Sequence, residues 1–385
     1  MIKTPKLRFK EFSGDWETHL LGKSITLYDN ERKPVKEQER NSGEYAYYGA
    51  TGIIDHIDNY IFEGEYLLLG EDGANIVTRN APLIYKTEGK FWVNNHAHIF
   101  KPKTQFDIDF MKQRLELINY IPYNTGTAQP KLNADSIKSI PFNAPSKEEQ
   151  EKIASFFSLI DNKISLQGEK VEALKDYKKG MMQKIFSREL RFKDDDGRDY
   201  PEWEEKKLDD LIKIKSNRNK NSVVELVLSV SNTKGFITQS EQFEDRIVAS
   251  SDISNYKIVE KDDFAFNPAR INVGSIARLK LYDKGIISPM YICFKCLNSL
   301  ESDYLEYFLM THSFDVQMKK KLEGSVRQTL SSEALGEIVI DLPCLNEQKK
   351  IGEYLSTIND KLVKEQEKLD YLNEYKKGLL QQMFV

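Results

Sequence analysis

The amino-acid sequence predicts a fold of the α/β (α+β) class, in which two mixed α/β bodies alternate with two long helices. Three observations lead to this prediction. The 385-residue chain contains a tandem repeat, and each repeat ends in about 40 residues with the apolar spacing of a paired helix. The segments before those ends contain short runs of β-favouring residues broken by glycine and aspartate-glycine turns. Because one domain usually takes about 100–200 residues, the length also favours two domains.

The repeat is clearest at the ends of its two copies, where "DYKKGMMQKIFS" corresponds to "EYKKGLLQQMFV". Pro145 aligns with Pro343 and Ser187 with Val385, and both pairs are 198 positions apart (343 − 145 and 385 − 187). The beginnings of the copies, "LRFKEFSGDWETHLL" and "LRFKDDDGRDYPEWEEKKL", resemble each other more loosely. The middles, at about 25–125 and 212–323, do not resemble each other. We therefore expect the ends to form a framework common to both copies and the middles to determine what each copy recognises.

Each repeated end predicts a helix of about 40 residues, or about 60 Å, with a heptad seam along one face. The seam residues of the first copy are Ile153, Phe157, Ile160, Ile164, Val171 and Leu174. Those of the second copy are Ile351, Leu355, Ile358, Leu362, Leu369 and Leu372. Polar residues interrupt both seams at matching places, Gln167 and Lys178 in one copy and Glu365 and Lys376 in the other. Such a seam needs a helical partner, and the other copy is the economical one; the alternative is that each helix packs on its own domain.

The two middles are expected to be mixed α/β segments. In the first, "EYAYYGATGIIDHIDNYIFEGEYLLLGEDGAN" and "KFWVNNHAHIF" are typical of strands and turns. In the second, "VVELVLSVS", "DDFAFNP" and "KGIISPMYICFKC" are strand-like. Each middle then contains one predicted helix, "FDIDFMKQRLELINYI" or "SDYLEYFLMTHSFDVQMKKKL", followed by a Gly-Thr or Gly-Ser loop.

The composition restricts the possible functions. The formal net charge of −4 gives no sign of a polyanion partner over the whole surface, so any nucleic-acid surface has to be local. No apolar run approaches the roughly 18 residues of a membrane span, and the first residues do not form an apolar signal segment. Three cysteines cannot make a disulfide framework, which agrees with a reducing compartment. The expected location is the cytoplasm.

The sequence lacks recognisable catalytic motifs. It contains no phosphate-binding loop of the GxxxxGK[ST] type and no glycine fingerprint for a dinucleotide. "FNPAR" distantly resembles the Asn-Pro-Pro-aromatic motif of amino-methyltransferases, but it lacks the second proline and the aromatic residue. Cys293 and Cys296 form a lone CxxC in a strand-like run, and His96 and His98, on one face of a strand, lack a nearby carboxylate. We therefore expect no metal site.

The remaining polar chemistry is typical of recognition. Asparagine and arginine can bind the edges of adenine and guanine through two hydrogen bonds each. Hydroxyl, amide and cationic groups beside a glycine suit phosphates, and phosphate contacts position a protein on DNA without reading the base sequence. The candidates in the turns of the first middle are Tyr47, Tyr48, Gly49, Thr51, Asn94, Asn95 and His96, and those of the second are Asn267, Arg270, Asn272 and Ser275. The candidates in the repeated loops are Thr127, Gln129, Lys131, Arg327 and Gln328. The alternative is that these turns are polar only for solvation.

The combination of these features resembles the specificity subunit of a Type I restriction–modification enzyme over essentially the whole chain. The residues that carry the resemblance are the two "P…EQ.KI" helix starts at Pro145 and Pro343, the two "YKKG" ends and the two "LRF…W" openings. The segments "YYGATGIID", "GEDGAN", "FWVNNHAH", "VASSDISNYKIV" and "KGIISPMY" are similar to parts of that family's target-recognition domains.

The resemblance implies target-recognition domains at 1–144 and 188–342, each reading one half of a split double-stranded DNA site, and conserved helical spacers at 145–187 and 343–385. It implies a non-catalytic chain without a cofactor of its own. S-adenosylmethionine, ATP and magnesium are then expected on the partners, which are two methyltransferase (modification) subunits and the restriction/translocase subunits. The alternatives are a stand-alone DNA-binding regulator, an enzyme with fused methylation, and a coiled-coil adaptor that does not bind DNA.

The resemblance also implies that the two helices pack as an antiparallel coiled coil, related by a pseudo-twofold axis that gives two identical partners near-equivalent surfaces. The register expected from the seams pairs Ile153 with Met383, Ile185 with Ile351, Leu174 with Leu362, Lys178 with Ile358 and Lys376 with Ile160. In this register the lysine stems cover their apolar partners while the ammonium groups reach water.

Overall fold

The computed structural model describes residues 4–239, 252–324 and 328–385, and the chain divides into two compact units. Unit 1 combines Met1–Gly168 with Glu367–Val385, and unit 2 is Glu169–Gln366. Each unit has strands, short helices and parts of both long helices, as the predicted fold class requires.

The mixed α/β body of unit 1 is built from short strands with four short helices between them. The strands are β1 Glu17–Leu20, β2 Ile25–Leu27, β3 Ser42–Gly49, β4 Gly52–Ile57, β5 Phe62–Glu63, β6 Tyr66–Gly70, β7 Ile84–Thr87, β8 Lys90–Val93, β9 Ala97–Pro102 and β10 Pro141–Ala144. The helices are α1 Leu21–Ser24, α2 Asn75–Thr78, α3 Ile108–Glu116 and α4 Ala134–Lys138. They are followed by the long helix α5 Lys147–Phe186.

The body of unit 2 follows the same plan. Its strands are β11 Glu204–Lys207, β12 Ile212–Lys215, β13 Val227–Ser231, β14 Gly235–Thr238, β15 Lys257–Glu260, β16 Phe264–Phe266, β17 Ile276–Arg278, β18 Lys284–Ile287, β19 Ile292–Cys296 and β20 Val339–Leu342. Its helices within the described ranges are α6 Ser302–Phe308, α7 His312–Lys320 and α8 Ser332–Gly336. The second long helix, α9 Leu345–Met383, follows β20.

The strand order is the same in both units. In unit 1 the sheets are β1-β10, β2-β9-β6-β7 and β4-β3-β8-β5, and in unit 2 they are β11-β20, β12-β19-β16-β17 and β14-β13-β18-β15. The β3–β8 and β13–β18 pairs are parallel, and the other strand pairs of the described chain are antiparallel. The middle segments of the two repeats, at about 25–125 and 212–323, are unlike in sequence, but their described strands are arranged in the same order.

The predicted helix "SDYLEYFLMTHSFDVQMKKKL" is wrong as a single element, because the structure divides it into α6 and α7. Thr311 lies between the two helices in extended conformation, and its side chain accepts a hydrogen bond from the backbone N–H of Phe314. A threonine in this position caps a new helix and ends the register of the preceding one.

In unit 1 the beginning of α5 packs against the end of α9 in antiparallel orientation. Ile153 and Phe157 share a hydrophobic core with Leu379 and Met383. Further along α5 the partner is earlier in α9, since Lys376 pairs with Asp161. This is one residue beyond Ile160, the predicted partner of that lysine.

In unit 2 the end of α5 packs against the beginning of α9, again in antiparallel orientation. Ile185 and Ile351 lie in one hydrophobic core, and Lys178 Nζ donates to Asn359 Oδ1 at 2.8 Å. Lys178 is half-buried, so its ammonium has protein groups around it in addition to this bond. The Lys178 ammonium lies 5.4 Å from the centre of the Tyr307 ring, and burial lowers the pKa of this lysine.

The predicted seam residues are all buried or half-buried in their units. Phe157 and Leu355 are fully buried, and side chains of this size contribute about 1.5–3 kcal/mol each when removed from water. Val171 and Leu372, on either side of the polar interruptions, are also buried. None of the twelve seam positions is exposed, although five of them are only half-buried.

A glutamine at the start of each long helix holds the body of its own unit. Gln150 Oε1 accepts from the backbone N–H of Asp107 at 3.0 Å, and its Nε2 donates to the carbonyls of Gln105 at 3.3 Å and Pro145 at 2.9 Å. In unit 2 the same bonds join Gln348 to Glu301 N, Ser299 O and Pro343 O, at 2.8, 3.1 and 2.8 Å. Both side chains are buried, so each amide is satisfied inside the protein.

The glutamate before each glutamine forms a bidentate ion pair with the arginine of the "LRF" opening. Glu149 accepts from Arg8 at 2.8 and 2.7 Å, and Glu347 accepts from Arg191 at 3.3 and 3.0 Å. Planar guanidinium and carboxylate groups match in this geometry, which gives strong, directed bonds. The repeated "LRF" and "EQ" motifs are therefore partners in space, which explains why they recur together.

Replacing Gly180 by alanine is expected to raise the free energy of unfolding by about 0.5–1 kcal/mol, because glycine is unfavourable within a helix. A Cβ at this position of α5 would have nothing within 4 Å of it. Gly352→Ala in α9 is the matched control, since its Cβ would lie 2.7 Å from Asp303 Cβ. Denaturant unfolding of the full chain should show stabilisation by the first change and destabilisation by the second; the same sign for both would contradict this account.

Candidate nucleic-acid interface

Loops meet at one edge of the sheets in unit 1. The last residue of β6, Gly70, lies opposite Ala97, the first residue of β9. The backbone N–H of Glu71 donates to His96 O at 2.8 Å, and that of Asn94 donates to Tyr48 O at 3.0 Å. The turn after β3, the loop after β6 and the turn before β9 are therefore neighbours.

The repeated loop before α4 joins the same edge. The backbone N–H of Leu132 donates to Glu71 O at 2.7 Å, and that of Gly73 donates to Pro130 O at 3.0 Å. We call residues 48–51, 71–73, 94–96 and 124–131 loop cluster 1. It brings together three sequence motifs that are far apart in the chain: "YYGATG", "FWVNNHAH" and "GTAQPK".

An ionic network lies beneath loop cluster 1. Arg32 Nη1 donates to Glu71 Oε2 and to the Ala97 carbonyl, both at 2.7 Å. Asp29 lies 2.6 Å from Nδ1 of buried His98. Burial acts to raise the pKa of Asp29, but the hydrogen bond to His98, the backbone N–H of Ile99 and the positive charge of Arg32 together hold it below its ordinary value. The carboxylate therefore stays charged and fixes the base of the loops.

His98 also connects this network to the repeated loop, because its Nε2 lies 2.8 Å from the Leu132 carbonyl. The expectation that His96 and His98 lack a nearby carboxylate is wrong. His96 Nδ1 is 2.8 Å from Asp72, and His98 contacts Asp29. His96 also lies in the turn before β9 rather than in the strand. These partners come from loops distant in sequence, so the local spacing gave no sign of them.

The predicted residues of the first middle differ in burial. Tyr47, Gly49 and Asn94 are buried, Tyr48 is half-buried, and Thr51, Asn95 and His96 are exposed. The Tyr47 hydroxyl accepts from the backbone N–H of Val35 at 2.9 Å, and Asn94 Oδ1 accepts from that of His96 at 2.8 Å. With 1% and 5% of their surfaces exposed, Tyr47 and Asn94 support the turns and cannot present their side chains to a ligand in this arrangement.

The predicted residues of the first repeated loop are exposed. Thr127, Gln129 and Lys131 lie on the outer side of loop cluster 1. Lys131 Nζ is 3.3 Å from Glu71 Oε1, which ties this cation to the network below. A Cβ at Gly126 would lie 1.8 Å from the Gln129 carbonyl, so the loop path requires glycine there.

Unit 2 forms a corresponding loop cluster 2 from residues 231–234, 267–275 and 328–330. The backbone N–H of Leu330 donates to Pro268 O at 3.1 Å, which joins the loop after β16 to the second repeated loop. Ser275 Oγ donates to Val230 O at 3.3 Å, and the Ser275 carbonyl accepts from Asn267 N–H at 3.0 Å.

Burial also divides the predicted residues of the second middle. Asn267 and Ser275 are buried, whereas Arg270 and Asn272 are exposed. Asn267 Oδ1 accepts from Ala269 N–H at 3.1 Å, so this side chain shapes the loop instead of facing outward. Among the described residues no carboxylate pairs with the Arg270 guanidinium. Gln328 is exposed, and Arg327 lies outside the described residues.

The cysteine pair belongs to a strand of unit 2, where burial acts on both thiols. Cys293 and Cys296 both lie in strand β19, and burial raises the pKa of the Cys293 thiol to about 12 and that of the Cys296 thiol to about 11. Both thiols are therefore protonated near neutral pH, which disfavours metal binding and thiol chemistry.

Within residues 4–239, 252–324 and 328–385, no three His, Cys, Asp or Glu side chains are grouped so as to hold a metal ion. No helix in the described parts is long and apolar enough to span a bilayer.

The loop chemistry and the duplicated topology agree with a comparison to known families. The family described as "Type I restriction modification DNA specificity domain" matches residues 13–176 and again 200–373. The chain belongs to this family. As a type I specificity subunit it is the DNA-recognition component of a restriction–modification system and not a catalytic one.

Relatives of this type I specificity subunit differ in how much of it they match. A Haemophilus influenzae chain named as a type I restriction enzyme specificity subunit is 34% identical over 36% of this chain and 36% of its own length. The specificity subunit of the type I restriction enzyme MjaVIII of Methanocaldococcus jannaschii is 24% identical over 97% of this chain and 94% of its own. The crystal structure of an S subunit of a type I restriction–modification system from M. genitalium shares the fold, with a TM-score of 0.67, 16% identity and 99% of each chain covered.

Proposed function

We propose that this specificity subunit reads a bipartite DNA site, with loop cluster 1 contacting one half and loop cluster 2 the other. The observation that carries the proposal is the identical strand order of two units whose loops differ chemically. The same framework presents Thr51, Asn95 and His96 in unit 1 but Arg270 and Asn272 in unit 2. Amide and guanidinium groups distinguish base edges by bidentate hydrogen bonds, so unlike loops are suited to unlike half-sites.

In this proposal the exposed residues of the repeated loops hold the DNA backbone. Thr127, Gln129, Lys131 and Gln328 offer hydroxyl, amide and ammonium donors, which suit phosphates. Phosphate contacts fix register and orientation without reading sequence. The repetition of these loops is then expected, because both half-sites have the same backbone chemistry.

The long helices are proposed to set the distance between the half-sites and to bind two identical methyltransferase subunits, which in turn bring the restriction/translocase subunits. The support is the repetition of the whole helical segment, since one chain that binds two copies of the same partner needs two similar surfaces. Methyl transfer and cleavage then belong to the partners, which carry S-adenosylmethionine, ATP and magnesium. The assembly is expected in the cytoplasm, where its DNA lies.

The test is to purify the full chain with and without a methyltransferase partner and to map the methylated sequences on random DNA. The proposal expects methylation only with the partner and only at a site with two specific halves around a fixed non-specific gap. Selective DNA binding that needs no partner and is unaffected by it would indicate a stand-alone regulator. Partner binding without any DNA selectivity would indicate an adaptor.

A further inference from the structure

The segment Ser216–Lys220, "SNRNK", leaves the same sheet edge in unit 2 as loop cluster 2. Lys215, at the end of β12, lies opposite Cys293 of β19, and Phe266, at the end of β16, lies opposite Ile292. Both strands are antiparallel to β19, so both end beside its first residues. The chain segments that follow them therefore start out from one edge.

A buried asparagine fixes the shape of this segment. Asn219 has only 2% of its surface exposed. Its Nδ2 donates to the Val224 carbonyl at 2.8 Å, its Oδ1 accepts from Val224 N–H at 3.2 Å, and its own N–H donates to Tyr256 O at 2.9 Å. The Asn217 carbonyl accepts from Ile258 N–H at 2.8 Å. With both ends of the turn bonded, the residues between them are held in place.

The outer side of the segment is polar, cationic and concave. Ser216, Asn217, Arg218 and Lys220 are exposed and, with Ile258, line an open depression of about 700 Å³. Arg218 Nη1 donates to Asn255 Oδ1 at 3.0 Å. In the described ranges, no carboxylate lies within ion-pair distance of either cation.

Arg218 differs in this respect from most of the arginines that the structure describes. Arg8, Arg32, Arg40, Arg79, Arg191, Arg198 and Arg278 each pair with a carboxylate of their own unit. The contrast is clear in unit 1, where Arg32 follows β2 as the segment here follows β12, but Arg32 pairs with Glu71. Because neither cation has a carboxylate partner among the described residues, both are available on this turn to an external anion.

We propose that Ser216–Lys220 binds backbone phosphates of the DNA half-site held by unit 2. The proposal rests on the proposed function and adds a contact surface to it. Each of the four exposed side chains has at least one hydrogen-bond donor, and two carry a positive charge, which suits the closely spaced anionic oxygens of a DNA strand. The segment is assigned to affinity because its two positive charges lie on one short turn; Asn217 and Arg218 are also residue types that read base edges, so an unchanged methylated sequence is part of the test.

The experiment is to compare the full chain with the double variant Arg218→Ala/Lys220→Ala, each assembled with its methyltransferase partner, in DNA binding from low to high salt. Each lost phosphate contact lowers the slope of log K against log salt by about 0.9. The double variant should therefore lose about 1.8 of this slope and bind more weakly, while the methylated sequence stays the same. A second pair, Arg218→Gln/Lys220→Gln, removes the charges but keeps polar side chains and should behave alike.

The control is Arg188→Ala/Lys193→Ala, which removes two exposed cations of unit 2 from the linker after α5, one of which, Lys193, lies 3.4 Å from Asp199 Oδ1. This variant should keep the salt slope of the original chain. The proposal is overturned if the Ser216–Lys220 variants keep the original slope, if the control loses as much, or if the variants change the recognised bases. If the unchanged chain selects no DNA sequence at all, the proposed function itself fails, and this inference fails with it.

Discussion

Exchanging residues 25–125 for the corresponding segment of another specificity subunit is expected to change one half of the methylated site and leave the other half intact. The exchanged segment runs from β2 through α3. It carries the exposed Thr51, Asn95 and His96 of loop cluster 1, and it leaves the repeated loop and both long helices native. If unit 1 reads one half-site by itself, the new loops bring their own preference with them.

The measurement is sequencing of methylated sites produced by the hybrid chain with its methyltransferase partner. The matched control is the exchange of residues 212–323, which should alter the opposite half of the site. Arg270→Ala, a single change in loop cluster 2, should weaken discrimination in that opposite half only. A hybrid that changed both halves together would contradict the assignment of one half-site to each unit.

Replacing Glu347 by alanine is expected to lower the free energy of unfolding by about 3–5 kcal/mol, because removal of one partner leaves a guanidinium without its buried counter-charge. The Glu347 carboxylate is fully buried, and its Oε2 accepts from Arg191 at 3.0 Å and from the Trp203 indole N–H at 2.9 Å. The change therefore also leaves the buried indole N–H without an acceptor.

Glu149→Ala in unit 1 is the matched control for this change. It removes the corresponding pair with Arg8, but Trp16 Nε1, unlike that of Trp203, has no hydrogen-bond partner among the described residues even before the change. The control should lower the free energy of unfolding by about 1–3 kcal/mol less than Glu347→Ala does, because it leaves no buried indole N–H without its acceptor. Denaturant unfolding with hydrogen exchange at the start of α9 would compare the variants. An equal or larger loss for Glu149→Ala would show that the indole bond adds nothing.

The long helices were predictable from sequence because their signal is periodic and extends over many turns. The steps of four and three along α5 report burial at each position, and the structure buries Ile153, Phe157 and Val171 accordingly. Strand runs were found for a similar reason, since β-rich segments bounded by turn residues such as "DDFAFNP" carry their own local preference. The break at Thr311 was missed because one capping bond outweighed an otherwise continuous apolar pattern.

The loop chemistry was only partly predictable, because a polar residue in a turn can face either inward or outward. Tyr47 and Asn94 stand in the expected turns, but they bond to backbone groups beneath them. The network of Asp29, Arg32 and His98 left no local signal, since its members come together only when the strands pair. Sequence spacing reports neighbours along an element, whereas these contacts depend on the fold.

The glutamine contacts at the starts of the long helices have an evolutionary consequence. Gln150 and Gln348 hold the inserted bodies only through backbone N–H and carbonyl groups. These hydrogen bonds depend on where the main chain of the body runs and not on which side chains it carries. Any body that enters and leaves along this path can occupy the position, so recombination at the shared ends can give a lineage new DNA targets without altering the framework that carries them.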